Sequence, residues 1–264
     1  MRQRVGWAGS WVGSLWVAPS IVLMTATGCT SFGAQGEDGE TSVVDGGGPA
    51  DAASSLDGGA DAAQEASRES GLVAHWTLDE TTGTSVPDAL GRNPGTVKGQ
   101  GTWVPGHVGG ALGFDGASTH VEVPASASLA LGDVFTFAAW VNLDDVSGDR
   151  WIIAYGETFE VKLNGRWPQI YVANGFLNIK ETVPASQWTH LAVSFDNGTV
   201  AWFFDGEPGT YREGSVGGSA TAGNGPVMIG TTLTKKNFAK GAIDDVRVWN
   251  RVLTNEEIAE LAKR

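Results

Sequence analysis

From Leu72 to Trp249 the sequence repeats one pattern. Short runs carry apolar residues at every second position, and turns rich in glycine, asparagine or aspartate separate them. "LVAHWTL" (72–78) puts Leu72, Ala74, Trp76 and Leu78 on one face, and "VFTFAAWVN" (134–142) does so with Phe135, Phe137, Ala139 and Val141. "ALGF" (111–114) and "THVEV" (119–123) flank an Asp115-Gly116 turn, and "RWIIAY", "TFEVKL" and "PQIYVA" follow at short spacing. "WTHLAVSF" (188–195) and "TVAWFF" (199–204) are joined through Asn197-Gly198, a pair that accepts the positive φ of a tight hairpin. Asn197-Gly198-Thr199 also matches a glycosylation sequon; the turn is the preferred reading. Many short strands with turns between them predict an all-β fold, a two-sheet antiparallel jelly-roll sandwich. One helix is expected, at the C-terminal end. Thr254 caps it, Glu257 completes a capping box, and Leu253 and Ile258 form the hydrophobic staple.

Composition divides the 264 residues into three parts. Residues 1–29 contain no acid; Arg2 and Arg4 precede an apolar stretch that ends in "MTATGC". Residues 30–70 hold nine acids against one base, Arg68, and a single aromatic, Phe32. They lack the apolar surface that offsets backbone ordering and are expected to form a disordered acidic tether. Residues 71–264 carry eight of the eleven tryptophans and are long enough for one well-buried core. The net charge of −13 excludes nucleic acid as a partner and disfavours adhesion to anionic lipid.

The N-terminal stretch resembles a bacterial lipoprotein signal, with small residues Ala26, Thr27 and Gly28 before Cys29, the only cysteine. That resemblance implies lipid on Cys29 and export, with attachment to the membrane through lipid alone. Thr30, where aspartate is absent, favours the outer membrane or cell surface.

An ordered series of segments carries a second resemblance: "HWTLDETTGTSVPDALGRNPGTV", "GGALGFDGASTHVEVP", "FTFAAWVN", "WTHLAVSFDNGTVAWFFDG" and "GAIDDVRVWNRVLTNEEI". Over about 71–261 the chain resembles the laminin-G-like, or concanavalin-A-like, jelly-roll domains of bacterial surface proteins. The resemblance implies two curved sheets packed face to face and allows a structural calcium. It does not fix a function, because this fold hosts lectins, adhesion modules, enzymes and spacers.

Glycan hydrolysis needs two carboxylates about 5 Å apart, which strands supply at period-two spacing. No such run is present; Glu157 and Glu160 are expected on opposite faces of a strand. His75, His107, His120 and His190 show no zinc spacing. In "GAIDDVRVW", alternation groups Asp244 with Ala242, Val246 and Val248, and Asp245 with Arg247 on an exposed face. A carboxylate on an apolar face needs backbone donors or a cation, so Asp244, with Asp79 and Asp115, is a candidate set for structural calcium. Sugar binding needs aromatic platforms with polar groups at a rim. Trp151, Tyr155, Trp167 and Tyr171 are the aromatic candidates; Asn164, Arg166 and Gln169 are the polar ones. The other reading of these aromatics is core, as expected for Trp76, Trp140 and Trp188. The leading expectation is a non-catalytic surface module binding a glycan or an extracellular protein. A structural spacer is the alternative, and a glycan-active enzyme comes third.

Overall fold

A computed structural model of the protein describes residues 69–144, 146–172, 175–210, 214–216, 219–220, 223 and 225–264. The expected signal (1–29), with Cys29, lies outside the described residues, as does the tether up to residue 68. The chain enters the fold through β1 (Leu72–Trp76), β2 (Ser85–Val86), β3 (Gly95–Lys98) and β4 (Thr102–Pro105). β5 (Gly110–Asp115), β6 (His120–Val123), β7 (Val134–Leu143) and β8 (Asp149–Tyr155) follow. Next come β9 (Phe159–Asn164), β10 (Trp167–Val172), β11 (Gly175–Asn178), β12 (Thr189–Asp196) and β13 (Thr199–Phe204). The last strands are β14 (Glu207–Pro208), β15 (Gly214–Ser215), β16 (Val227–Ile229) and β17 (Lys240–Trp249), before helix α1 (Asn255–Leu261).

Two antiparallel sheets result. The first runs β14-β13-β12-β7-β17-β5-β4, with β1 also on β17 and β15 on β13; the second runs β11-β10-β9-β8-β16-β6-β3-β2. This is the expected jelly-roll sandwich. Alternation on the long strands sends Phe135, Phe137 and Val141 of β7, and Leu191, Val193 and Phe195 of β12, into one core. Val161, Ile170, Val172, Val227 and Ile229 meet them from the second sheet. The sheets are keyed by Phe159 of β9, which stacks on Phe135 at 4.5 Å and on Tyr155 at 5.1 Å.

The Asn197-Gly198 turn joins β12 to β13 with Asp196 paired to Thr199, and both turn residues have positive φ, 47° and 95°. Helix α1 has its capping box: Thr254 Oγ1 accepts from Glu257 N, and Glu257 Oε2 accepts from Thr254 N. Leu253, Ile258 and Leu261 pack with Ala138, Phe203 and Trp249 on the outer face of the first sheet. Trp76 is in the core, as expected, but Trp140 and Trp188 are not. Trp140 is an outward residue of β7, buried because the His107 ring stacks on it at 3.5 Å. Trp188, just before β12, is half-buried with His107 6.2 Å away. Tyr155, a candidate platform, belongs to the core.

Candidate functional site

The paired aspartates are explained by a bulge. Along β17, Asp244 pairs with Trp140 and Arg247 with Ala138, so three steps on one strand answer two on the other. Asp245 takes the extra position with φ 51°, a conformation that aspartate tolerates. The insertion resets the alternation. Val246 and Val248 point into the core, while Asp244 and Asp245 both stay on the outer side. Asp245 is therefore not an exposed surface residue. It is 7% accessible and Arg247 6%, and its Oδ1 lies 2.7 Å from His75 Nε2 and 2.9 Å from Arg247 Nη2. Burial alone would raise the Asp245 carboxyl; the His75 hydrogen bond and the Arg247 charge hold it below its usual range.

Asp244 is fully buried under the β4–β5 loop. Its Oδ2 accepts from His107 N and Val108 N, both at 2.9 Å. Its Oδ1 has no hydrogen-bond partner. Burial pushes the carboxyl up to about 7, the two amides pull against that, and the charges of Asp245 and Asp79 add to the rise. Asp79 holds the far end of the same loop, accepting from Gly110 N at 2.6 Å. Asp244 thus offers one orphaned, buried carboxylate oxygen, and Asp79 binds the other end of the loop that covers it. Asp115 does not join them. It pairs in register with Lys240, four residues along β17 from Asp244. Its carboxylate is taken by the amides of Ala117, Ser118 and Thr119 and by the Ser118 hydroxyl, and that turn holds it well below the usual carboxylate range despite some desolvation. Among the described residues no three His, Cys, Asp or Glu side chains converge on one point.

The sequence-predicted sugar residues come together on the outer face of the second sheet. Register aligns them in rows across adjacent strands: Asp149–Asn164–Trp167, then Trp151–Lys162–Gln169–Asn178, then Glu160–Tyr171–Phe176. Trp167 is 51% accessible because it follows the two-residue turn Gly165-Arg166, where β10 starts at the sheet's end. Asn164, Trp167, Asn178, Ile179 and Lys180 line a hollow of about 180 Å³. Arg166 is exposed in the turn beside it.

Trp151 is 8% accessible and donates its indole N–H to Glu160 Oε2 at 2.8 Å, so it supports the face rather than presenting a platform. Lys162 was not foreseen as part of this surface. Its ammonium pairs with Asp149 at 2.9 Å and lies 4.4 Å from the Trp151 ring centre and 5.2 Å from that of Tyr171. Cation–π contact on two sides lets it sit 4% accessible. Phe176, 56% accessible, lies 5.5 Å from Tyr171. The signal for Lys162, Phe176 and Asn178 lies in strand register, which no local stretch of sequence carries. Glu157 and Glu160, expected on opposite faces, line one hollow of about 270 Å³ with Tyr171, because Glu157 lies in the turn before β9 and not on the strand.

Comparison with known proteins agrees with this architecture. The model of the concanavalin A-like lectin/glucanases superfamily matches residues 115–259. Domain 4 of AbnA, a GH43 extracellular arabinanase from Geobacillus stearothermophilus solved with arabinotriose, superposes with a TM-score of 0.59 at 22% identity over 72% of this chain and 98% of its own. The binding domain of Paraclostridial Mosquitocidal Protein 1 gives 0.60 at 12% identity, over 74% of this chain and 52% of that one. Trypanosoma rangeli sialidase, in complex with 2,3-difluorosialic acid, gives 0.56 at 16% identity, over 73% and 33%. The chain thus spans about half of the second protein and a third of the third. At these identities the structures share a fold with it. The family match covers more than half of the sequence, from the Asp115 turn through β17 to α1, and the chain belongs to the concanavalin A-like lectin/glucanases superfamily.

Proposed function

We propose that residues 71–264 form a non-catalytic module that binds a glycan, free or carried on an extracellular protein, on the outer face of the second sheet. The module is displayed at the cell surface through lipid on Cys29, with the acidic stretch 30–70 as spacer. The observation that carries the binding role is Trp167: a tryptophan half in solvent, beside the side chains of Asn164 and Asn178 in one hollow. An indole face supplies apolar contact to a sugar ring, and flanking amides both donate and accept. The complex of AbnA domain 4 with arabinotriose is in keeping with a saccharide ligand. A structural calcium belongs to the same proposal. Asp244 and Asp79 would hold it, and it would supply the positive charge that Asp244 Oδ1 lacks.

The test is a glycan array followed by titration of the best hit. Trp167→Ala is expected to weaken binding at least tenfold, since losing a central aromatic contact costs about 2 kcal/mol. The melting temperature should be unchanged, because the ring is exposed. Unchanged affinity in the variant overturns the assignment. One observation favours a second reading, glycan hydrolysis: Glu157 and Glu160 share a hollow with Tyr171. Release of reducing sugar that disappears in Glu157→Gln and Glu160→Gln would establish it.

A further inference from the structure

Trp188, which was expected in the core, borders a different surface. On the outer face of the first sheet, register aligns Thr102 of β4, Gly113 of β5, Ala242 of β17 and Asn142 of β7 in one row across four strands. The two central positions carry no side chain beyond a methyl group, so the middle of the row is a trough. Gly113 is kept bare by its neighbour: a β-carbon there would lie 2.8 Å from Thr102 Oγ1. Trp188 stands at the Asn142 end of the row and lines the same depression. The next row along the strands carries Asp115, Lys240 and, beyond β17, Asp144, whose amide donates to the Lys240 carbonyl. Asp115 and Asp144 line the trough at that end. Its volume is about 440 Å³, within the range of small-molecule sites.

The lining decides what chemistry fits. A hydroxyl, a side-chain amide and the Asp144 carboxylate surround a floor with little side-chain bulk, one indole forms a wall, and Asp115, whose oxygens are held by its own turn, adds charge at the rim. These groups give and accept many hydrogen bonds around a thin apolar slot, as a polyhydroxylated ring requires. Lys240 is the single base in the bordering row, set against two carboxylates, so the rim is net negative. An anionic ligand would meet like charge without a compensating clamp.

We infer that this trough is a second glycan site, specific for short neutral oligosaccharides, on the sheet opposite the Trp167 hollow. The module then holds saccharide on both faces of its sandwich. The inference goes beyond the second-sheet reading and can fail or stand separately from it. In ¹⁵N-labelled full-length protein, the indole N–H signals of Trp188 and Trp167 are assigned by Trp188→Phe and Trp167→Phe. The protein is titrated with arabinotriose, cellotriose, mannotriose and, as the anionic control, sialyllactose. The Trp188 signal is expected to move saturably with at least one neutral trisaccharide and to ignore sialyllactose. Ala242→Leu, which fills the trough from a half-buried position, should weaken that response at least tenfold and leave any Trp167 response intact. If that variant also melts lower, Asn142→Ala, which removes bulk instead, must show a weakened response. A Trp188 signal unmoved by every neutral trisaccharide overturns the inference, as does a response indifferent to these variants. Movement of the Trp167 signal alone overturns it too, while sustaining the second-sheet site.

Discussion

Asp244 and Asp245 are adjacent and lie on the same side of the sheet, yet they answer to different partners. Asp245 compensates two cationic or donor side chains, His75 and Arg247, in a region where all three are largely out of water. Removing it leaves a buried charge without its carboxylate, so Asp245→Ala is expected to cost about 3–5 kcal/mol. Asp244 gives one oxygen to two loop amides and leaves the other unpaired. Its loss exposes two donors but also relieves an uncompensated carboxylate, so Asp244→Ala should cost less, about 1–3 kcal/mol. Urea unfolding of both variants checks the order. If calcium sits at Asp244, chelation should lower the melting temperature of wild type and leave Asp244→Asn unchanged. His190 supplies a pH dependence. It is 2% accessible behind Trp140, near Asp245, Arg247 and His107, and burial first of all pushes its pKa down to about 4, with Asp245 opposing and Arg247 and His107 assisting. The unfolded chain takes up this proton near pH 6.5 and the folded one near 4. The His190 contribution is therefore full above about pH 6.5 and is lost as the pH drops towards 4, by up to about 1.4 kcal/mol per unit, while Asp244, raised to about 7, titrates with the opposite sign over the same range. Thermal melts from pH 4 to 8 should show His190→Gln gaining stability relative to wild type as the pH falls from about 6.5.

At the level of elements, local chemistry was legible and long-range register was not. The Asn197-Gly198 hairpin and the cap of α1 each rest on residues within four positions of one another, so the sequence carries their whole cause. The cap yields a prediction. Glu257 is held by Thr254 and also receives both Nη atoms of Arg251 at 2.7 and 2.8 Å. Thr254→Ala should cost about 1 kcal/mol, the usual worth of an N-cap, and chemical denaturation will measure it. A loss of several kcal/mol would mean that α1 docks through its cap. The bulge in β17 was hidden for the opposite reason. Period two assumes that no residue is inserted, and the one at Asp245 reverses the facing of everything after it. Trp140 shows a related gap: alternation gives the side of the sheet, and only the returning β4–β5 loop decides that His107 covers that side. In the candidate site, Trp167 was legible because a turn exposes it. Lys162 and Asn178 were not, since their place beside it depends on which strands pair.

For the whole molecule, the fold closes where its two ends meet. β1 pairs with the second half of β17, Leu72 opposite Trp249 and Trp76 opposite Val246. Just ahead of it, the carbonyl of Gly71 accepts from Asn250 N, and that of Ser70 accepts from Arg251 Nε at 2.6 Å. The first strand is thus integral: it brings Val73, Ala74 and Trp76 to the core and gives part of β17 its neighbour. Two truncations should therefore behave very differently. A chain beginning at residue 69 keeps every one of these contacts and is expected to melt within about 2 °C of the full-length protein, as a change below about 0.5 kcal/mol would produce in a domain of this size. A chain beginning at residue 77 loses a fully buried tryptophan and a strand, and should fail to fold, because deleting one large core side chain alone costs about 3–5 kcal/mol of a total near 5–15. Everything before residue 69 would then serve location and not stability. The proposed lipid on Cys29 gives that division its second half. Cys29→Ser should move the protein from the membrane to the soluble fraction with the melting temperature of the 69–264 unit unchanged. A Cys29→Ser chain that still sediments with membranes rejects the lipid anchor, and a residue-69 chain that melts well below full length rejects the boundary.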